Sequence, residues 1–190
     1  RGPKHTPSLW GGVAARSLIF KQLRDDTYRL FFIASNSRVE LMKNILIATD
    51  SSKHSKKASE VGIEMAMLFG AKVTTLYVID VGKECASIGV LESNEGDDLI
   101  SRIRSSLQSQ GEEATGRIEE MAKSAGLTVD RVIIEGRPAE DILKLAGERK
   151  TDLIVVGGIG VTGLEKFLLG SVAEKVVRNS KVPVLVVRAN

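Results

Sequence analysis

From residue 42 onward, short apolar runs alternate with segments of helical periodicity, and this alternation most narrows the folds open to the chain. Aliphatic residues fill the runs Leu153–Val156 and Val184–Val187, and no polar residue interrupts either one. Continuous runs of this kind are typical of parallel strands that are covered on both faces. Between such runs, as in Ala58–Leu68, apolar residues recur every three or four positions, which predicts amphipathic helices.

The pattern predicts five strands separated by four helices. We expect strands at 44–48, 72–79, 128–135, 152–156 and 182–187. We expect helices at 51–70, 97–125, 139–148 and 172–179, and a loop at 80–96, which is rich in glycine, serine and acidic residues.

This order of elements predicts an α/β fold with a doubly wound, five-stranded parallel sheet and helices on both faces. Two common strand orders fit five strands, 2-1-3-4-5 and 3-2-1-4-5, and we favour 3-2-1-4-5. That order places the topological switch between strands one and four, and ligands bind such sheets in the crevice at the carboxyl ends of those strands. The two strand ends there are Thr49–Asp50 and the glycine-rich loop that starts at Gly157.

Composition excludes several other classes of protein. The single cysteine, Cys85, cannot form an internal disulfide, and no cluster of cysteine and histidine has the spacing of metal ligands. The run from Leu153 to Leu164 is too short for a membrane-spanning helix, which needs about 20 apolar residues. We therefore expect a soluble, cytoplasmic protein with no membrane partner.

The positive charge is confined to the start of the chain. Residues 1–41 hold seven Lys and Arg against three Asp and Glu, a net charge of +4, whereas the remaining residues have 20 basic and 21 acidic side chains, a net charge of −1. The region that forms the fold is nearly neutral, so the basic pI does not support a nucleic-acid partner. We interpret residues 1–41 as an added or upstream-translated leader, with a transit peptide and a regulatory extension as alternatives, and residues 42–190 as the domain.

The glycine-rich loop fits two different spacings. Gly158, Gly160 and Gly163 match the dinucleotide pattern G-x-G-x-x-G, but that motif belongs to the first strand-turn-helix unit and requires an acidic residue about 20 positions later. The second spacing runs from Gly157 through Gly160 to Gly170 and Ser171, which precede the last helix. Glycines let backbone N–H groups approach an anion closely, and a helix N-terminus offers unpaired donors. This spacing predicts a site for a chain of phosphates.

Two polar residues of this region have a structural interpretation as well as a functional one. Ser171 and Glu174 form the capping-box pattern S-x-x-E, so Ser171 can cap the last helix instead of binding a ligand. Asp50 can cap the first helix, or it can meet a ribose hydroxyl or an adenine amino group. His54 lies among lysines and is predicted to be a solvated surface residue.

These motifs together resemble the universal stress protein family over Met42–Asn190, and the spacing of the loop is similar to that of its ATP-binding branch. One departure is the pair Gly158 and Ile159, where family members often carry polar residues, which implies an altered nucleotide affinity. The segments that carry the resemblance are Lys43–Ser52, Leu76–Asp80, Glu135–Ile142, Gly157–Ser171 and Val182–Val187.

The resemblance implies a binding site for ATP, with a divalent cation held through the phosphates where one is present. Asp50 would contact the ribose or the base, and the backbone of Val78 would contact adenine. The resemblance also implies a homodimer formed by pairing of the last strands, Val184–Val187. The complete set of expected nucleotide-binding residues is Ala48, Asp50, Val78, Val156, Gly157, Gly160, Gly170, Ser171 and Val172.

The sequence therefore predicts an ATP-binding regulatory or stress-response protein that holds the nucleotide as a switch. No catalytic residue and no set of metal ligands can be assigned from the sequence. A slow ATPase, an autophosphorylating enzyme that uses Ser171, and a nucleotide-free dimeric interaction module are the alternatives. The downstream protein partner cannot be identified from the residues.

Overall fold

The computed structural model describes residues 42–89, 96–158 and 169–189. The predicted leader, residues 1–41, lies outside these ranges. No helix within them is both long enough and apolar enough to cross a membrane. The elements in chain order are β1 (Asn44–Ala48), α1 (Lys53–Phe69), β2 (Lys72–Ile79), α2 (Val81–Ser87), α3 (Gly96–Ser124), β3 (Val129–Glu135), α4 (Pro138–Glu148), β4 (Leu153–Gly157), α5 (Ser171–Asn179) and β5 (Val184–Val187).

The five strands form one parallel sheet in the order β3-β2-β1-β4-β5, which confirms the predicted topology. β1 lies at the centre, where Ile47 pairs with Thr75 of β2 on one side and with Val155 of β4 on the other. Asp152 fastens the start of β4 to β1, because its carboxylate accepts hydrogen bonds from the backbone N–H groups of Lys43 and Asn44. The switch point therefore lies between β1 and β4.

Helices cover both faces of the sheet, which explains why the central strands are apolar throughout. Alternate residues of β1 point to opposite faces: Ile47 packs in a core cluster with residues of α1 and α3, and Leu46 packs in a second cluster with residues of α4 and α5. All four residues of β5 are buried. The predicted site lies at the carboxyl ends of the strands, where loops follow them.

Helix α1 begins and ends close to the predicted bounds, and specific residues cap it. The side chain of Ser52 accepts a hydrogen bond from the backbone N–H of Ser55 at 3.2 Å, so Ser52 is the N-cap. Gly70 ends the helix with a φ of 64°, a left-handed conformation that favours glycine. Asp50 is therefore not the cap, which removes one of its two interpretations.

The segment predicted as a loop at 80–96 contains a helix, so this prediction was wrong. Asp80 caps α2, because its carboxylate accepts a hydrogen bond from the backbone N–H of Lys83 at 2.9 Å. No residue of α2 is buried. Val81 and Cys85 are partly buried, and two such positions in a short helix give too little helical periodicity to detect in the sequence.

Candidate functional site

The ends of β1, β2 and β4 lie together at one edge of the sheet, because neighbouring parallel strands end on the same side. Three predicted site residues on these strands, Ala48, Val78 and Val156, pack with the core cluster that faces α4 and α5. Ala48 and Val156 are buried there, and Val78 is partly buried. Their side chains stabilise the fold, so only their backbone atoms remain for a ligand.

Gly157 brings the end of β4 into contact with the first turn of α1. A Cβ atom at Gly157 would lie 2.7 Å from the backbone nitrogen of Ser55 and 2.9 Å from the carbonyl carbon of His54. Both neighbouring atoms belong to a helix backbone, which cannot move aside cheaply. The glycine is therefore required by close packing between β4 and α1, in addition to any role in binding.

Two backbone hydrogen bonds hold the ends of the glycine-rich loop. The N–H of Gly158 donates to the carbonyl of Val187 at 2.7 Å, and the N–H of Gly170 donates to the carbonyl of Gly158 at 2.7 Å. The loop thus leaves and rejoins the fold at one point. Residues 159–168, which include the predicted site residue Gly160, lie outside the described ranges.

Helix α5 begins at this junction, and its cap position is a glycine. Gly170 is the N-cap and has no side chain to accept hydrogen bonds from the first turn. Ser171 is the first helical residue and is exposed, so its predicted role in a capping box was wrong. Glu174 instead forms an ion pair with Arg178 at 2.7 Å. The first-turn N–H groups and the Ser171 hydroxyl are placed where an anion can reach them.

The turn after β1 is held by side-chain hydrogen bonds and carries backbone strain. The carboxylate of Asp50 is exposed and accepts a hydrogen bond from the backbone N–H of Ser52 at 3.0 Å. Between them, Ser51 has a φ of 66°, which is unfavourable for residues other than glycine. The Ser51 hydroxyl is buried and has no hydrogen-bond partner among the described residues. Strain and unpaired polar groups often mark functional sites.

His54 is partly buried and holds the chain that follows β5, so its prediction as a solvated residue was wrong. Its Nδ1 atom accepts a hydrogen bond from the backbone N–H of Ala189 at 2.8 Å. Burial, then the positive charges of Arg188 and Lys53, lowers the pKa of His54 below its usual 6.5, against the opposing effect of Asp50. The sequence carried no local signal for this contact, because it joins residues 135 positions apart.

Comparison with known proteins identifies the family of this domain. The family model described as "Universal stress protein family" matches residues 42–188. The chain belongs to the universal stress protein family. Universal stress protein MJ0531 of Methanocaldococcus jannaschii is 41% identical over 148 residues, which cover 78% of this chain and 83% of that protein.

Two solved structures extend the comparison of this universal stress protein domain. The structure of MJ0577, a protein of Methanocaldococcus jannaschii, has a TM-score of 0.66 and 30% identity, and the match covers 79% of this chain and 98% of that one. A universal stress protein solved in complex with cAMP has a TM-score of 0.58 and 25% identity, with coverage of 80% and 100%.

The edge of this universal stress protein domain combines backbone donors with charged side chains. Asp50 follows β1, Lys53 and His54 lie in the first turn of α1, and Arg188 directly follows β5. In the described part of the chain, no group of three or more His, Cys, Asp or Glu side chains is arranged to hold a metal ion. The described groups can bind an anion through N–H groups and cations, and can accept a hydrogen bond at Asp50.

Proposed function

We propose that this chain is an ATP-binding regulatory protein of the stress response, which holds the nucleotide at the carboxyl ends of β1 and β4 as a switch. Membership of the universal stress protein family supports the stress-response role. The complex of a 25%-identical relative with cAMP supports an adenine nucleotide as the ligand, since cAMP shares its adenine, ribose and α-phosphate with ATP.

The observation that carries this proposal is the junction of the glycine-rich loop with α5. The hydrogen bond from Gly170 to Gly158 places the uncapped first turn of α5 beside the exit of β4. Gly170 has a φ of −62° and a ψ of 151°, which any residue can adopt, so its backbone conformation does not demand glycine. We infer that glycine at position 170 instead leaves space for a ligand that approaches the start of α5.

We expect the nucleotide to lie along this edge in one orientation. Asp50, which follows β1, would contact the ribose or the base, and the backbone of Val78 on β2 would contact adenine. β2 lies on the side of β1 away from β4. Gly157, Gly160, Gly170, Ser171 and the backbone N–H of Val172 would surround the phosphates. A divalent cation would be held through the phosphates and would neutralise part of their charge.

The first test is titration of the purified protein with ATP by isothermal titration calorimetry, comparing wild type with Gly170→Val. We expect the valine to weaken ATP binding at least about tenfold, because its side chain would occupy the space beside the first-turn donors. Gly147→Ala is the matched control, since a Cβ atom there meets nothing within 4 Å. Absence of ATP binding by wild type would overturn the proposal, and unchanged affinity in Gly170→Val would overturn the placement of the phosphates.

The exposed hydroxyl of Ser171 favours one second candidate, slow autophosphorylation. In that reaction the Ser171 oxygen would bond to the γ-phosphorus, its proton would pass to solvent, and ADP would leave. Intact-mass spectrometry after incubation with ATP distinguishes the two functions. A gain of one phosphate in wild type, absent in Ser171→Ala, would establish the reaction, whereas an unchanged mass with ATP bound supports the switch.

We also propose that the protein forms a homodimer through the outer edge of β5, residues Val184–Val187. β5 is the last strand in the sheet order and has one neighbouring strand, β4. An unpaired edge of this kind is a ready template for pairing with a second chain. The proposal rests on the backbone of β5, because all four side chains are already buried within the single chain.

A further inference from the structure

Arg188 occupies the space that a side chain at position 158 would fill. A Cβ atom at Gly158 would lie 2.8 Å from Cγ of Arg188. Gly158 is not among the described glycines with positive φ, so its backbone does not require glycine. A larger residue at position 158 would instead have to displace the aliphatic part of Arg188, which lies directly against Gly158.

This contact places Arg188 close to the proposed phosphate-binding donors. The carbonyl of Gly158 accepts the hydrogen bond from Gly170, which is the N-cap of α5. The arginine stem therefore packs against the residue that is bonded to this cap. The guanidinium carbon is three bonds beyond Cγ, so the charged end of the side chain has a wide range of positions around this junction.

The backbone that carries Arg188 is fixed on both sides. Val187 accepts the hydrogen bond of Gly158 at 2.7 Å, and Ala189 donates to Nδ1 of His54 at 2.8 Å. Arg188 thus extends from a segment anchored to β4 and to α1. The charges of Arg188 on this segment, Lys53 on α1 and Asp50 in the turn after β1 all influence the pKa of His54.

We propose that Arg188 supplies the side-chain cation that contacts the phosphates of the bound nucleotide, and that His54 is the positioning residue that holds it there. The inference rests on the proposed function. The loop lacks the Gly-Lys-Ser/Thr ending with which common phosphate loops supply a lysine, and Arg188 would add a side-chain cation to the backbone donors. Arginine is suited to this role because its planar fork can donate two parallel hydrogen bonds to one phosphate.

The test measures the affinities of ATP, ADP, AMP and adenosine for wild type and Arg188→Gln by calorimetry. We expect Arg188→Gln to weaken ATP binding about 10- to 100-fold, because one hydrogen bond between charged groups is lost. Adenosine binding should be unchanged, because adenosine has no phosphate. Arg188→Lys should recover part of the loss, because it keeps the charge but not the fork. Arg102→Gln is the matched control, since it removes the same charge from an exposed ion pair on α3.

The role of His54 is tested by His54→Ala and His54→Asn in the same series. Alanine removes the acceptor for the N–H of Ala189. We therefore expect His54→Ala to lose less affinity than Arg188→Gln, and the loss should increase with the number of phosphates from AMP to ATP. Asparagine places an oxygen close to the position of Nδ1, so it should restore the affinity. A role confined to stability would affect adenosine and ATP equally.

The possible outcomes separate this inference from the proposed function. If wild type binds ATP and Arg188→Gln binds it equally well, Arg188 is not a phosphate contact, although the proposed function stands. Equal weakening of ATP and adenosine would also overturn the inference, since it would show a distorted site. If wild type binds none of the four compounds, the proposed function itself fails.

Discussion

Three glycines at the candidate site have different physical reasons for being glycine. Gly157 makes room for the backbone of α1, and Gly158 makes room for the side chain of Arg188. Gly170 has an ordinary backbone conformation at the start of α5, and the reason that we propose for glycine there is space for a ligand. The sequence placed Gly157 and Gly170 near a ligand through their spacing, but it could not show that packing alone requires Gly157. That requirement depends on a contact with His54 and Ser55, about 100 positions away in the chain.

Thr75 carries a buried hydroxyl that weakens the fold. The residue is fully buried in β2, and its hydroxyl has no hydrogen-bond partner among the described residues. We expect Thr75→Val to raise the free energy of unfolding by about 1–2 kcal/mol, because valine has the same shape and no polar group to desolvate. Urea unfolding measures the change.

Thr115→Val is the matched control for this prediction. The Thr115 hydroxyl is equally buried, but it donates to the carbonyl of Gly111 at 2.8 Å and accepts from Nε of Arg131 at 3.1 Å. Its replacement should lower the free energy of unfolding by about 1–3 kcal/mol, since Arg131 loses a partner. A Thr75→Val protein less stable than wild type would contradict the prediction.

At the scale of elements, the sequence predicted the parts that bury an apolar face. Helix α1 was found from its periodicity, its serine-rich start and Gly70, all of which are local signals. Helix α2 was missed because its stability comes from the Asp80 cap and not from a buried face. The contact between His54 and Ala189 was missed for another reason, since it joins two elements 135 positions apart.

The link between α1 and the segment after β5 should make stability depend on pH. The pKa of His54 is lower in the folded protein than its usual 6.5, so the unfolded chain binds the proton more tightly. The contribution of His54 to the free energy of unfolding is fully present above pH 6.5. It is lost as the pH falls from there towards the pKa of His54 in the folded protein, and it changes no further below that pKa. Protonation also removes the Nδ1 acceptor of Ala189.

Urea unfolding of wild type and His54→Asn between pH 5 and 8 tests this link. We expect the stability of wild type relative to the variant to decline as the pH falls below about 6.5, because asparagine does not titrate. His5 is present in both proteins and cancels in the comparison. Parallel pH profiles for the two proteins would show that His54 does not contribute.

At the scale of the whole molecule, the strand order could be predicted because few topologies satisfy short, right-handed crossovers between parallel strands. Two orders fitted the pattern, and the choice of 3-2-1-4-5 is confirmed. The position of the candidate site followed from that choice, because it sets which strand ends meet. The role that we propose for Arg188 could not be predicted in the same way, since it depends on the contact of Arg188 with Gly158.

The homodimer proposal leads to a prediction about the backbone of β5. Ile154 donates to the carbonyl of Pro183, and Gly158 donates to that of Val187. Because strand residues alternate sides, Val184 and Val186 direct their N–H and C=O groups away from β4. Val186→Pro removes one outward donor without removing a hydrogen bond to β4, and proline is tolerated at such edges.

Sedimentation velocity at micromolar concentration measures the effect of this variant. We expect wild type to sediment as a dimer and Val186→Pro as a monomer. Val186→Ala is the matched control, because it shortens the same side chain but keeps the N–H group and should remain dimeric. A monomeric wild type, or a dimeric Val186→Pro protein, would contradict pairing through this edge.

The central position of β1 has a consequence for synthesis on the ribosome. β2 pairs with one edge of β1 soon after β1 is synthesised. The other edge waits for β4, and Asp152, the residue directly before β4, lies 108 positions after Asn44. At about 5–20 residues per second, this wait lasts roughly 5 to 20 s. During that interval the nascent chain exposes an unpaired edge of an apolar strand, and such an edge is a template for pairing with other chains.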